Sequence, residues 1–258
     1  MIRDIISIRF PESGNAFQAQ DEEYCIVERE GQERRIRLHD YQEIYAIPGL
    51  YEALFSERLR YCSPQVMASL LAQEIMRSSV PLSEISALDM GAGNGLAGEA
   101  LKRQGIRSLI GIDLFSEAAE AAERDRPGLY DHYYVADLLN LSPATRKALE
   151  AANLNCLVSV GALGFSDIPP LAFARAYNLI ADEGWVAFNI KEGFMEEGDE
   201  SGFSTLIRQM IDKDVFAIKI KHRYCHRLSV AGEELYYLAV IGIKKGSVPI
   251  AWAQGGLP

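Results

Sequence analysis

At 258 residues the chain is long enough for one large α/β domain with an extension, and too short for two full catalytic domains. Its 26 lysines and arginines against 36 acidic residues give a formal charge of -10, which argues against general nucleic-acid binding, and its four scattered cysteines form no C-x-x-C pair and read as reduced thiols. No run approaches the roughly 18 apolar residues of a membrane helix, and MIRDIISIRF is too short and too charged for a signal peptide, so the expected setting is cytoplasmic, without a membrane partner.

Along the chain, residues 22–38 alternate apolar and polar positions (Cys25 and Val27, then Ile36 and Leu38) around Glu30-Gly31, which predicts a β-hairpin serving as an edge cover or a homodimer contact. Residues 41–61 are helical in character, rich in tyrosine and broken by Pro48-Gly49. Ser63-Pro64 supplies a helix cap and a first-turn proline for a helix to Arg77. From residue 85 strands and helices alternate: strands at 85–89, 109–113, 133–136, 156–160 and 185–190, with helices at 96–104, 116–124, 142–152 and 170–181. After a helix near 204–212, residues 214–228 and 234–245 form two long strands joined around Gly232. So short a link cannot make a right-handed parallel crossover, so they pair as an antiparallel hairpin. The expected fold is α/β: a Rossmann-like seven-stranded sheet, mostly parallel with an antiparallel terminal hairpin, helices on both faces, and an N-terminal extension of β-hairpin and helical segment. The expected division is an extension at 1–62, a domain at 63–246 and a tail at 247–258.

The chemistry concentrates where the first parallel strand turns into its helix, at ALDMGAGNGLAGEAL (87–101). Such a glycine turn brings backbone close to a ligand. Two overlapping readings arise, Asp89-x-Gly91-x-Gly93-x-Gly95 for S-adenosylmethionine and Gly93-x-Gly95-x-x-Gly98 for a dinucleotide. The acids favour the first. Asp113 ends the second strand 24 residues after Asp89, a spacing that sets a carboxylate beside ribose hydroxyls, and Asp137 ends the third strand, where it can accept from an adenine amino group. Asp89 can organise the loop and meet an ammonium, whereas it would repel a pyrophosphate.

These motifs resemble the class I S-adenosylmethionine-dependent methyltransferases: LDMGAGNG, IGIDLF, VADLLNL, VSVGALGF and EGWVAFNI, over about residues 41–245. Within that class GLYDHYYVADL and VGALGFSDIP are most similar to the methyltransferase-like proteins named for the Williams–Beuren region and their bacterial relatives, which also carry paired aromatics and a Y-x-x-P ending before the core. Here Tyr61-Cys-Ser-Pro64 supplies that ending, and Pro48-Gly49 reads as an insertion. The resemblance implies that Gly91, Ala92, Gly93 and Gly95 wrap the methionine and ribose. It further implies that Asp113 with Leu114 holds the ribose side, Asp137 with Leu138 the adenine, and that Ser159 and Val160 flank the reactive methyl. Tyr45 or Tyr61 would close the pocket.

Methyl transfer by in-line displacement needs a positioned nucleophile more than a dedicated base. Asp167, Lys191 and Glu192 are candidates for orienting an acceptor or taking its proton, against the alternative of solvated loop charges. Gly161-Ala162-Leu163 stands where an Asn-Pro-Pro-Tyr clamp would be, and no Pro-Cys pair follows that strand, which leaves a small-molecule acceptor as the default. Lys219, Lys221, Arg223 and Arg227 share strand parity as a basic face, with Tyr224 and two histidines opposite. Cys225 points away from His222 and His226, so no metal site is expected. Two other classes remain open: a non-catalytic, regulatory adenosylmethionine-binding protein, and an NAD(P)-dependent oxidoreductase.

Overall fold

The computed structural model describes residues 7–11, 19–29, 31–164, 167–195 and 201–254. The expected tail at 247–258 therefore lies partly outside the described residues, as does Glu30 of the expected hairpin turn.

The alternation read from residue 85 becomes strands β4 (Ser86–Met90), β5 (Ser108–Asp113), β6 (His132–Val135), β7 (Cys156–Ser159) and β8 (Trp185–Lys191). They are joined through helices α3 (Leu96–Gln104), α4 (Ser116–Asp125), α5 (Pro143–Ala151) and α6 (Pro170–Asn178). After α7 (Phe203–Asp212) come β9 (Phe216–Leu228) and β10 (Glu234–Lys244). The sheet order is β6-β5-β4-β7-β8-β10-β9, with β10 antiparallel to both neighbours and the other pairs parallel. One apolar layer (Leu88, Met90, Phe173, Phe188, Phe216) covers one face and a second (Leu71, Ala87, Leu101, Val158, Ala187) the other. Buried on both faces, the parallel strands read as continuous apolar runs. The chain leaves β4 in one direction and returns through β7 on its other side. The carboxyl ends of β4 and β7 therefore flank the crevice where α/β sheets hold ligands.

The extension has more structure than the hairpin expected. β2 (Tyr24–Arg29) and β3 (Gln32–Arg37) pair as read, and β1 (Ser7–Arg9) adds a third antiparallel strand, placing Ile8 on the core that holds Cys25, Val27 and Ile36. Three residues carry too little alternation to reveal a strand; pairing with β2 makes this one. The tyrosine-rich segment divides into α1 (Tyr41–Ala46) and a π-helix (Glu52–Arg58), with Gly49 at φ +77° between them. The wide turn is closed by Leu59 N–H on the Leu54 carbonyl, 3.0 Å. Helix α2 (Ser63–Arg77) starts where expected, but Ser63 is its first helical residue and not a cap: the side chain turns inward to His226 Nδ1, 2.7 Å away.

The extension is welded to the terminal hairpin. Leu228 N–H bonds the Leu59 carbonyl (2.7 Å) and Cys62 N–H the His226 carbonyl (3.1 Å). Glu23 pairs with Arg227, both side chains almost wholly buried, and also accepts from Val230 N–H at 2.7 Å. This corrects the expected basic face. The β9–β10 register shifts between Leu235/Tyr236, which opposes Leu235 to Arg227 and Tyr236 to Cys225. One extra residue, His226, breaks the parity and carries Arg227 inward to Glu23, while Lys219, Lys221 and Arg223 stay exposed. His222 shares a side with Tyr224, their rings stacked at 6.4 Å.

Candidate active site

At the crevice lies a cavity of about 490 Å³. Its floor is the turn after β4. Gly91, Gly93 and Gly95 all have positive φ (+70°, +53°, +86°), which costs other residues strain, and a Cβ on Gly91 would lie 2.7 Å from the Ala162 Cβ. Four of the turn's amides bond within the protein: Gly91 and Ala92 donate to the Ile112 carbonyl (2.9 and 3.2 Å), Gly95 to the Ala92 carbonyl (2.9 Å), and Gly93 to Asp113 Oδ2 (2.9 Å). A pyrophosphate cradle needs such N–H groups directed at the ligand; these four are spent on the protein.

Asp113, at the end of β5, also accepts from Phe115 N–H (3.1 Å), leaving lone pairs for hydroxyl donors. Burial raises its pKa, opposed by the amides of Gly93, Phe115 and Leu114. Leu114 beside it is 57% exposed, an apolar plane at the cavity mouth. Asp137 holds its own turn, accepting from Leu139 N–H (2.7 Å) and Asn140 Nδ2 (2.9 Å), and lines the wall with Leu138. On the opposite wall stand Val160, Gly161 and Ala162.

The roof comes from the extension. Tyr41, Tyr45, Tyr51 and Tyr61 all line the cavity. Their rings run in series, Tyr41 to Tyr45 at 6.1 Å and Tyr45 to Tyr51 at 5.3 Å, continuing through Phe55 to Tyr61 and His226. Burial above all raises their phenol pKa values, so they remain neutral. A latch ties this roof to the glycine turn: Arg126 donates to Glu52 and Glu99 (2.9 Å each) and to the Asn94 carbonyl (3.1 Å), while Asn94 Nδ2 donates to Glu52 (2.6 Å).

A buried relay supports the wall at Gly161. Gly161 N–H donates to Asn189 Oδ1 (2.6 Å), Asn189 Nδ2 to the Tyr224 hydroxyl (2.8 Å), and that hydroxyl to Ser63 Oγ (2.7 Å), whose own proton goes to His226 Nδ1. For the chain to close, Nδ1 must be bare. Burial, helped by Arg227, pushes the His226 pKa well below its usual value, so the ring is neutral as the relay requires.

Gly91, Ala92, Gly93, Asp113, Leu114, Asp137, Leu138, Val160, Tyr45 and Tyr61 thus meet at one cavity. Five expectations are corrected. Gly95 is outside the lining, with the Leu129, Arg126 and Tyr130 side chains against it. Asp89 is fully buried and off the cavity: it alternates with Met90, which lines the site, and so faces Tyr130, whose hydroxyl donates to it at 2.7 Å. Burial raises its pKa to about 6, against the pull of Tyr130. Ser159 clips strands, donating to the Met90 carbonyl at 3.1 Å. Lys191 and Glu192 are also outside the lining, with Glu192 on Arg223 at 2.9 Å. Of the three acid–base candidates only Asp167 reaches the cavity. Sequence reasoning missed His39, Tyr41, Tyr51, Gly161 and Asn189; the one available signal was the run HDYQEIY, with a histidine directly before the tyrosines.

Residues 88–188 match the family of methyltransferase domains. No curated relative matches the chain. Among solved structures, an S-adenosylmethionine-dependent methyltransferase from Clostridium acetobutylicum is 11% identical, with 76% of this chain and 97% of that chain covered and a TM-score of 0.51. One from Anabaena variabilis is 13% identical, covering 81% and 96%, also at 0.51. The plantazolicin methyltransferase BpumL, solved with SAH, is 12% identical, covering 80% and 94%, at 0.51. No helix among the described residues is long and apolar enough to cross a membrane. Over residues 88–188 the chain is thus similar to a methyltransferase domain, and its fold is the Rossmann-like one of these solved structures.

Proposed function

We propose that the cavity binds S-adenosylmethionine and that the protein methylates a small-molecule acceptor. One observation carries the cofactor assignment: among the described residues the lining holds three carboxylates, Asp113, Asp137 and Asp167, and no lysine or arginine. Such a wall favours a sulfonium and an ammonium and repels a pyrophosphate. The same repulsion counts against a dinucleotide, and so against the oxidoreductase reading. The neutral phenol rings of the roof add faces that attract cations.

When bound, S-adenosylmethionine supplies a methyl group on positively charged sulfur. The chain's part is to hold and to shield. Gly91, Ala92 and Gly93 would run beneath the methionine, Asp113 would accept from ribose hydroxyls, and Leu114, Asp137 and Leu138 would frame adenine. Val160 and Gly161, steadied through Asn189, would border the reacting centre, with Tyr45 and Tyr61 above it excluding water. We place the methyltransferase domain at 63–246, with 1–62 as its roof and 247–258 as a tail. GLYDHYYVADL and VGALGFSDIP support kinship with the Williams–Beuren-region methyltransferase-like proteins.

Tritium from methyl-labelled S-adenosylmethionine, incubated with protein and a cell extract then divided into small-molecule, polynucleotide and protein fractions, should appear in the first. Asp113→Ala should abolish the transfer. Label confined to polynucleotide would overturn the acceptor class and redirect attention to Lys219, Lys221 and Arg223.

A further inference from the structure

Beside His39 the cavity opens into an annex of about 30 Å³, room for one water-sized group and too small for a nucleobase. His39, Tyr61, Gly161 and Asp167 border both spaces; Gln20 and Tyr237 belong to the annex alone. Two features there are used by nothing described so far.

The first is a dyad. His39 Nδ1 lies 3.1 Å from Asp167 Oδ2, joining the turn before α1 to the segment after β7, with the side chains 12% and 27% exposed. A carboxylate at Nδ1 selects the tautomer protonated there and makes Nε2 the basic nitrogen. Among the described residues, the groups that border the annex with His39 do not compete for that role. Tyr41 meets it edge-on at 5.7 Å, Arg227 is neutralised by Glu23, His226 is neutral, and Tyr51, Tyr61 and Tyr237 are neutral phenols.

The second is an unmet hydrogen bond. Gln20 is 8% exposed; its Nε2 donates to the Tyr237 hydroxyl at 2.8 Å, while its Oε1 is buried without a partner. Turning the amide over only exchanges which atom is left unmatched, and an unmatched buried amide atom is costly. A hydroxyl, both donor and acceptor, satisfies either orientation.

We propose that the annex receives the hydroxyl of a small-molecule alcohol or phenol, with His39 as general base, Asp167 as its positioning residue and Gln20 as the acceptor's anchor. The acceptor oxygen bonds the methyl carbon, the sulfur–carbon bond breaks with its electron pair passing to sulfur, and the hydroxyl proton ends on His39 Nε2. A hydroxyl needs such a base because it is a poor nucleophile while it keeps its proton. This inference rests on the cofactor assignment above.

The test uses the full chain labelled with ¹⁵N-histidine and saturated with adenosylhomocysteine, with phenol as the probe. The His39 ring nitrogens are followed by NMR and assigned by their loss in His39→Gln. The expected result is a bare Nε2 that phenol shifts saturably, an affinity for phenol at least fivefold weaker in Gln20→Leu, and a lost tautomer preference in Asp167→Asn. His39→Gln should keep adenosylhomocysteine affinity within about twofold while methyl transfer to phenols falls about 100-fold or more. A His39 ring protonated at Nε2, a phenol titration that leaves it unmoved, or label transferred only to amines or thiols would overturn the inference. Failure of the wild-type chain to bind adenosylhomocysteine would bring down the cofactor assignment as well; intact binding with an indifferent His39 would sink this inference alone.

Discussion

Gly93 shows how tightly single residues constrain the site. Its φ of +53° is strained for any residue with a Cβ, and that Cβ would collide with the Tyr45 hydroxyl. Gly93→Ala should therefore cost about 1 kcal/mol in backbone strain and push the roof off the turn. We predict at least a tenfold loss of adenosylhomocysteine affinity by calorimetry, with a melting temperature only a few degrees lower; unchanged affinity would mean that Tyr45 does not form the roof of the site. The glycines and Asp113 were legible because strand, turn and spacing together dictate where they fall. Asp89 was not: spacing locates it along β4, but alternation with Met90 decides which side it faces, and that face is filled by Tyr130 against Gly98. His39 was signalled only by its place before the tyrosines and Gln20 by nothing, because their partners Asp167 and Tyr237 lie 128 and 217 residues away.

The elements reach the site through one joint, the docking of the extension on the β9–β10 hairpin. Its centre is the buried Glu23–Arg227 pair. Removing one partner strands the other's charge, so Glu23→Ala should lower unfolding free energy by about 3–5 kcal/mol in urea titration. Glu23→Gln, which keeps an acceptor for Val230, should cost less; equal and negligible losses would show that the pair does not anchor the extension. The parallel strands were legible as apolar runs and the terminal hairpin from the shortness of its link. β1 and the inward turn of Arg227 were not, because each exists only through pairing: a three-residue strand against β2, and a register shift against β10.

At the scale of the molecule, buried titratable groups set the response to pH. His226 is held neutral in the fold, its pKa well below the 6.5 of an unfolded chain. Below pH 6.5 the unfolded chain therefore binds the extra proton, and stability falls on acidification by up to about 1.4 kcal/mol per pH unit until the folded pKa is reached. Asp89 acts in the opposite sense: its folded pKa of about 6 exceeds the unfolded 3.8, so between those values the fold takes the proton first and part of the loss is offset. His226→Gln should flatten the decline between pH 6 and 5 relative to wild type, measured by urea unfolding at each pH. Parallel slopes would show that His226 is not the buried neutral end of the relay from Gly161.

The central claim, that this cavity holds S-adenosylmethionine, is tested most directly by thermal unfolding of the full chain with adenosylmethionine, adenosylhomocysteine, NADH and NADPH in parallel. A ligand at about a hundred times its dissociation constant adds about 2.7 kcal/mol, roughly 5 to 10 °C for a chain of this size. The account predicts that rise with the two sulfur nucleosides alone, and its loss in Asp113→Ala. A rise with NADH or NADPH alone would contradict it, and would mean that a wall of three carboxylates tolerates a pyrophosphate after all.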